Sequence, residues 1–331
     1  MLTPTQEVRL PAGYSARRPT HDDIPAILAL IAACDTDESG SADDWGAEDI
    51  ENDWKRSDPA TNAYVLSEPA GSLVASGTVF AEGKARVNLD VYIHPEHRER
   101  GLGTWLTHAL ETRAHELLDD GAPPDARLTL HTGINSPNTR AAELLRHEGY
   151  TPVRHFWQMR IEMEAPPSAP VWPEGVAVRA CVRGQDERVI FDTLEEAFKD
   201  HWGHTARDYD TWAAINVESE SYDPSLWFLA MAGDEPAGVI RGRMRGEEGW
   251  INTLGVRRLW RRAGLGMALL LQAFGAFYAR GVRIVALGVD AQNPTGATRL
   301  YERAGMRVAR QYTVYEKELR SGVDYDEHEP E

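Results

Sequence analysis

NTLGVRRLWRRAGLGMALLLQAF, residues 252–274, contains a strand, a loop and a helix start in one run. Its first five residues read as an extended stretch, and from Met267 onward apolar residues recur at helical spacing. Between them stands Arg261-Arg262-Ala263-Gly264-Leu265-Gly266. Glycines let such a loop turn tightly and approach a ligand, so that several N–H groups and the helix N-terminus converge on a phosphate. Arginines add charge-assisted hydrogen bonds. A plain strand-to-helix turn with solvated arginines would look the same in a single match. Two rival phosphate motifs are excluded by inspection. No Gly-Lys-Ser/Thr follows the glycines, and Gly264-x-Gly266 continues as Met267-Ala268-Leu269, without the third glycine of a dinucleotide fingerprint.

The same run occurs earlier, as LDVYIHPEHRERGLGTWLTHALE at residues 89–111. Downstream, NTRAAELLRHEGY at 138–150 is matched by NPTGATRLYERAGM at 293–306. Parts repeated in one order at an offset of one domain length indicate two copies of one fold. The proline-rich stretch EAPPSAPVWPEG at 164–175 can neither continue a helix nor donate fully to a sheet, and reads as the linker. The expected division is an N-terminal domain at 1–163, a C-terminal domain at 176–320 and an acidic, unpacked tail at 321–331. Coarse periodicity predicts strands near 63–67, 73–81 and 86–93 in the first copy. In the second it predicts helices near 185–199, 207–217 and 264–280 among strands near 226–232, 237–245, 250–256 and 308–318. The fold class is a mixed α/β unit, present twice.

Composition narrows the function. A formal net charge of -17 opposes binding to nucleic acid or anionic lipid. No apolar run approaches the roughly 20 residues that span a bilayer. The first segment lacks an apolar signal core, and the two cysteines, Cys34 and Cys181, fall in different halves, so a reducing cytoplasm is expected. A monomer or homodimer is equally compatible with these data.

Both copies resemble the GNAT superfamily of acyl-CoA N-acyltransferases, through the pyrophosphate signature Arg/Gln-x-x-Gly-x-Gly/Ala placed after an apolar strand. The matching residues are Leu254, Gly255 and Val256 with Arg261, Arg262, Ala263, Gly264, Leu265, Gly266 and Met267. In the first copy they are Val91, Tyr92 and Ile93 with Arg98, Glu99, Arg100, Gly101, Leu102, Gly103 and Thr104. Asn293, Leu300, Tyr301, Gly305 and Met306 match a second family segment. The resemblance implies acetyl-CoA as co-substrate, no metal, and direct attack of an amine on the thioester. Leu254 or Val256 would hold the acetyl oxygen by backbone N–H, and Tyr301 would be the acid toward the CoA sulfur. Glu248, or Glu247 beside it, is the candidate base. Leu145 occupies the tyrosine position in the first copy and cannot donate a proton, so the chemistry is assigned to the C-terminal copy.

The acceptor pocket is expected in FKDHWGHTARDYDTW from Phe198, where Asp200, His201, Trp202 and His204 stand close together. A carboxylate with aromatic neighbours suits an ammonium group, whereas the spacing matches no recognised metal-ligand pattern. The tandem arrangement resembles mycothiol synthase, although the DHWGH segment differs from that enzyme's acceptor region. A small primary amine is the expected acceptor. A protein N-acetyltransferase and an acyl-CoA sensor without turnover are the alternatives.

Overall fold

The structure is a computed structural model that describes residues 9–43, 45–83, 85–199, 208–293 and 295–324. Two compact units emerge, one from the chain up to His155 together with the segment from Gln311, the other from Phe156–Arg310.

In the first unit the elements follow as β1 (Ser15–Arg17), α1 (Ile24–Ser39), α2 (Ala47–Arg56), α3 (Pro59–Asn62), β2 (Ala63–Ser67), β3 (Leu73–Glu82) and β4 (Arg86–Ile93). They continue as α4 (Leu102–Gly121), β5 (Leu128–Asn135) and α5 (Thr139–His147). The chain then runs through β6 (Thr151–Glu162), β7 (Val176–Ala180), α6 (Glu187–Phe198), α7 (Tyr209–Asn216), β8 (Trp227–Ala232), β9 (Glu235–Arg245) and β10 (Glu248–Val256). It ends with α8 (Leu265–Ala279), β11 (Ile284–Asp290), α9 (Ala297–Arg303) and β12 (Arg307–Arg320). The mixed α/β character read from the periodicity is present in both units.

Within the first unit the strand order is β1-β2-β3-β4-β5-β12, and within the second it is β7-β8-β9-β10-β11-β6. Strands pair antiparallel except β4 with β5 and β10 with β11, which are parallel. A parallel pair needs a crossover, and α4 and α8 provide it. In α4, Leu102, Leu106, Leu110, Ala114 and Leu118 recur every four residues and are buried against the sheet. In α8, Leu265, Leu269, Ala273 and Phe277 do the same.

The units differ from the contiguous segments 1–163 and 176–320. Tyr312–Arg320 of the last strand pairs with β5, whereas Phe156–Glu162 of β6 pairs with β11. The two copies therefore exchange their final strands. Each parallel strand needs an antiparallel neighbour to cover its open edge, and two strands descended from one repeat meet that need equally well. Among the described residues no helix is long and apolar enough to cross a membrane.

Candidate active site

In the second unit β10 pairs with β11 only from Gly249 to Ile251. Beyond that point β11 stays with β6 as far as Asp290, and β10 stays with β9 as far as Val256. The two strands part, and residues 252–256 lose their partner on one side. Asn252 is an extra residue in the β9–β10 ladder, a bulge that bends the strand where the fork opens. The Arg257 N–H bonds to the Ala237 carbonyl at 3.1 Å. Alternation along the strand then turns the N–H groups of Leu254 and Val256 into the fork, where an acyl oxygen could accept from them.

The glycine loop closes the same end. Gly264 caps α8 at φ 85°, in the left-handed region that glycine enters without strain, and Arg262 lies at φ 65°. No side chain caps the helix and no acid lies in its first turn. Its first intrahelical bond runs from Ala268 N–H to Gly264 C=O, leaving the N–H groups of Leu265, Gly266 and Met267 without a helical acceptor. These groups suit a pyrophosphate. Gly266 acts by size. A Cβ there would stand 3.3 Å from Leu300 and 3.8 Å from Val256, so α9, the end of β10 and the start of α8 converge on it.

Arg261 does something other than the sequence suggested. Its guanidinium donates to the carbonyls of Val256 at 3.1 Å and Ala197 at 2.9 Å, tying the loop to the ends of β10 and α6. Carbonyls at a strand end and a helix C-terminus lack regular partners, and an inward arginine satisfies them. Arg262 and Ala263 are exposed on the loop.

Tyr301, on α9, is 7% exposed and is part of the second unit's core. Among the described residues its hydroxyl has no hydrogen-bond partner, and burial pushes its pKa up to about 12. A phenol held protonated in this way is a donor in search of an acceptor. Asn293 accepts from the N–H and hydroxyl of Thr295 at 2.8 and 2.5 Å and thereby shapes the turn into α9. Glu248 is not brought to this site. It begins β10, six residues before Leu254 and so about 20 Å away along the strand, and it is ion-paired with Arg160 at 2.5 Å. Glu247 lies outside β10 on the same far side of Glu248 from the fork. Asp200, His201, Trp202 and His204 lie outside the described residues.

The first unit repeats the frame. β4 leaves β5 after Leu89 and stays with β3 to Ile93 without a bulge. The His94 N–H reaches Val74 C=O at 2.9 Å, which turns the N–H groups of Val91 and Ile93 into the opening. Gly101 caps α4 at φ 81° behind Glu99 at φ 60°, leaving Leu102, Gly103 and Thr104 N–H groups uncapped. A Cβ at Gly103 would meet Leu144 at 3.1 Å and Ile93 at 3.9 Å.

Here, however, α1 crosses the mouth. Cys34 donates to the Ile93 carbonyl at 3.2 Å, and burial pushes the thiol up to about 11. Glu38 accepts from Asn135 at 2.8 Å, from Asn138 at 2.6 Å and from Arg98 at 2.9 Å. Arg98 also pairs with Asp37 at 2.6 Å. Carboxylates from α1 thus bridge the end of β5, the start of α5 and the glycine loop, and they bring negative charge to Arg98 of that loop. Arg100 instead reaches Tyr14 and the Glu96 carbonyl. The sequence gives Glu38 only as part of the acidic run DTDES at 35–39, which reads as a solvated helix end. Leu145 is buried in the core at the position of Tyr301.

A family profile described as Acetyltransferase (GNAT) family matches residues 25–150 and again 188–306. A mycothiol acetyltransferase of Streptomyces scabiei is 32% identical over 236 residues, 70% of this chain and 69% of that protein. The crystal structure of a GCN5-related N-acetyltransferase from Sphaerobacter thermophilus is 39% identical and superimposes with a TM-score of 0.82, covering 96% of this chain and 99% of its own. A tandem GNAT protein from the clavulanic acid biosynthesis pathway is 14% identical with a TM-score of 0.68, covering 94% of this chain and all of its own, a likeness of fold alone.

Proposed function

Since the chain belongs to the GNAT acetyltransferase family, we propose that its second unit moves the acetyl group of acetyl-CoA to the primary amine of a small molecule. The reading rests on one convergence: an opened β10, an uncapped α8 N-terminus and α9, the helix that carries buried Tyr301, meet around Gly266 and Leu300. The N–H groups of Leu265, Gly266 and Met267 would take the pyrophosphate. The fork would take the acyl arm along the free edge of β10, with Leu254 or Val256 N–H on the acetyl oxygen as negative charge builds there. The amine nitrogen bonds to the carbonyl carbon, the carbon–sulfur bond breaks, Tyr301 gives its proton to the departing sulfur, and the nitrogen releases its surplus proton through solvent, which restores the phenol. The relative named for mycothiol favours a small-molecule acceptor over a protein.

In the first unit Leu145 replaces the tyrosine and Glu38 brings a carboxylate to Arg98 of the glycine loop, which supports a non-catalytic role for that unit. A thiol-release assay with acetyl-CoA over a panel of small primary amines tests the reading. Release that depends on one amine class and yields its N-acetyl product is expected. Steady release independent of any amine, or transfer only to protein lysines, would overturn it.

A further inference from the structure

As backbones β6 and β12 are interchangeable, and chain order favours the arrangement that is not found. β6 follows α5 directly, so returning it to β5 of its own unit would close a far shorter loop than bringing in β12. The first unit nevertheless pairs β5 with Tyr312–Arg320. Side chains must therefore favour the distant strand.

The ladders show which positions correspond. The parallel pairs end at Leu89 with Thr132 and at Ile251 with Leu287, and the next residues, Gly133 and Gly288, stand opposite Val314 and Gln158. Further along the same strands, Lys317 of β12 corresponds to Ile161 of β6, and Glu316 to Arg160. Counted from the glycine caps Gly101 and Gly264, Glu111 of α4 corresponds to Phe274 of α8. Tyr150 and Met306, each after a left-handed glycine, correspond as well.

On one face of these strands the two units differ in kind. Glu111 is completely buried, and it accepts from Lys317 Nζ at 2.8 and 3.0 Å and from the Tyr150 hydroxyl at 2.7 Å. Lys317 reaches it from the rim, with 24% of its side chain exposed. In the second unit Phe274 and Met306 are buried in an apolar core, and Ile161 packs against it, its Cδ1 3.3 Å from where a Cβ on Gly305 would stand. A carboxylate enclosed as Glu111 is needs its cation, because a buried charge left alone is strongly destabilising. With β6 in place of β12, Ile161 would face it.

The opposite face carries a second, independent contrast. Glu316 meets Arg127 at 2.6 Å and His131 at 2.8 Å in the first unit, whereas Arg160 meets Glu248 at 2.5 Å in the second. The other arrangement would set Arg160 beside Arg127 and His131, and Glu316 beside Glu248. Like charges opposite one another in a sheet are unfavourable, so each edge disfavours the strand that belongs to the other.

We propose that these side chains select the strands: buried Glu111 admits β12 through Lys317 and rejects β6, and Glu316 with Arg127 and His131 reinforces the choice. The exchange of final strands is set by charge rather than by chain connectivity.

The test lets one thiol choose between two partners. Gly133→Cys, Gln158→Cys and Val314→Cys are introduced together into the full chain, and a Cβ at Gly133 has no atom within 4 Å. The reduced chain is unfolded, refolded and oxidised with oxidised glutathione, and its disulfide-linked peptides are quantified by mass spectrometry. A link between positions 133 and 314 reports the exchanged arrangement, and one between 133 and 158 the other. In the otherwise unmodified sequence the first should exceed the second by about tenfold or more. Adding Arg160→Glu, Ile161→Lys, Glu316→Arg and Lys317→Ile moves the charges from each strand to the other and should reverse the ratio. Should that variant fail to fold, Glu111→Leu with Lys317→Ile, which replaces the buried pair by apolar groups, should still lower the ratio by about threefold or more. A ratio that stays at its starting value in a folded variant of either kind overturns the proposal, as does a predominance of the 133–158 link in the starting protein.

Discussion

Gly103 and Gly266 fill the same niche in the two units, each pinned between the end of a strand and a leucine of a short helix, yet what surrounds them has diverged. The frame repeats closely: a parallel pair that parts, a left-handed glycine cap, a non-glycine residue at positive φ two positions before it. The contents do not. Leu145 stands in the first unit where the second has Tyr301, Tyr92 where it has Gly255, and Arg98 pairs with carboxylates where Arg261 donates to carbonyls. At Gly255 a Cβ would lie 2.8 Å from Leu194, so α6 rests directly on β10, whereas the Tyr92 ring lines a cleft. Backbone geometry set by glycine and strand pairing persists because changing it breaks the fold. Single side chains set the chemistry and are free to drift.

The comparison breaks most simply at the two caps. Gly264→Asp places a carboxylate at the helix N-terminus where the pyrophosphate is expected, and should abolish measurable acetyl-CoA binding and turnover. Gly101→Asp should leave most turnover in place. Both residues have φ above 80°, so each change carries a similar strain of roughly 1–2 kcal/mol and the melting temperatures should fall alike. Calorimetry and steady-state kinetics on the pair decide the matter. Loss of activity in a well-folded Gly101→Asp protein would put the chemistry in the wrong unit.

Tyr301→Phe sharpens the contrast with Leu145. The ring still packs and only the hydroxyl is lost, so kcat should fall roughly 100- to 10,000-fold while CoA affinity holds. Leu145→Tyr should give no second activity, because Glu38 still engages Arg98 of the glycine loop and a hydroxyl alone supplies no acceptor site. A kcat for Tyr301→Phe within about twofold of the unmodified enzyme would remove the tyrosine from the mechanism.

Much of this was legible beforehand, for identifiable reasons. Local signals set the strands, the helices and both caps: an apolar alternation, a period of 3.6, a glycine at each left-handed position. The exchange of β6 and β12 was not legible. Neither strand's own pattern says which of two equivalent edges it will join. Arg261 was read as a phosphate ligand because an exposed loop arginine and an inward one look alike in sequence. Glu248 was placed by its closeness to β10, but sequence proximity did not say at which end of the strand the fork would open. Asp53 and Asp90 lie far apart in the chain, and only the packing of α2 over β4 makes them a pair.

Glu38→Ala tests a contrast of stability. It removes three hydrogen bonds from the first unit, one of them to a guanidinium, and leaves Asn135 and Asn138 without their acceptor. A loss of about 2 kcal/mol is expected. In the second unit Arg261 donates to backbone carbonyls, and the pair of Arg257 with Glu196 at 2.6 Å is exposed, so Glu196→Ala should cost less than Glu38→Ala. Denaturant melts of Glu38→Ala measure the loss, and a midpoint within error of the unmodified protein would mean that the network does not brace the fork.

The smallest expected effect lies in the pH dependence of the Asp53–Asp90 pair. Their folded pKa values, about 7 and about 6, lie above the roughly 3.9 of an unfolded aspartate, so the folded state holds these protons more tightly. The contribution to stability is therefore complete below about pH 4 and is lost as pH rises to about 7. The groups that set the balance are Arg56, which favours the ionised forms, and Asp49, which opposes ionisation of Asp53. Tyr92, raised well above its usual range, stays neutral through this window and adds no charge. Asp90→Asn removes one titrating group and lets Asp53 ionise without a like charge beside it. The variant should match the unmodified protein near pH 4.5 and exceed it near pH 8 by about 1 kcal/mol, a shift of a few degrees in the melt. A variant less stable at pH 8 than at pH 4.5, relative to the unmodified protein, would show that the Asp90 carboxylate is already paired in the folded protein.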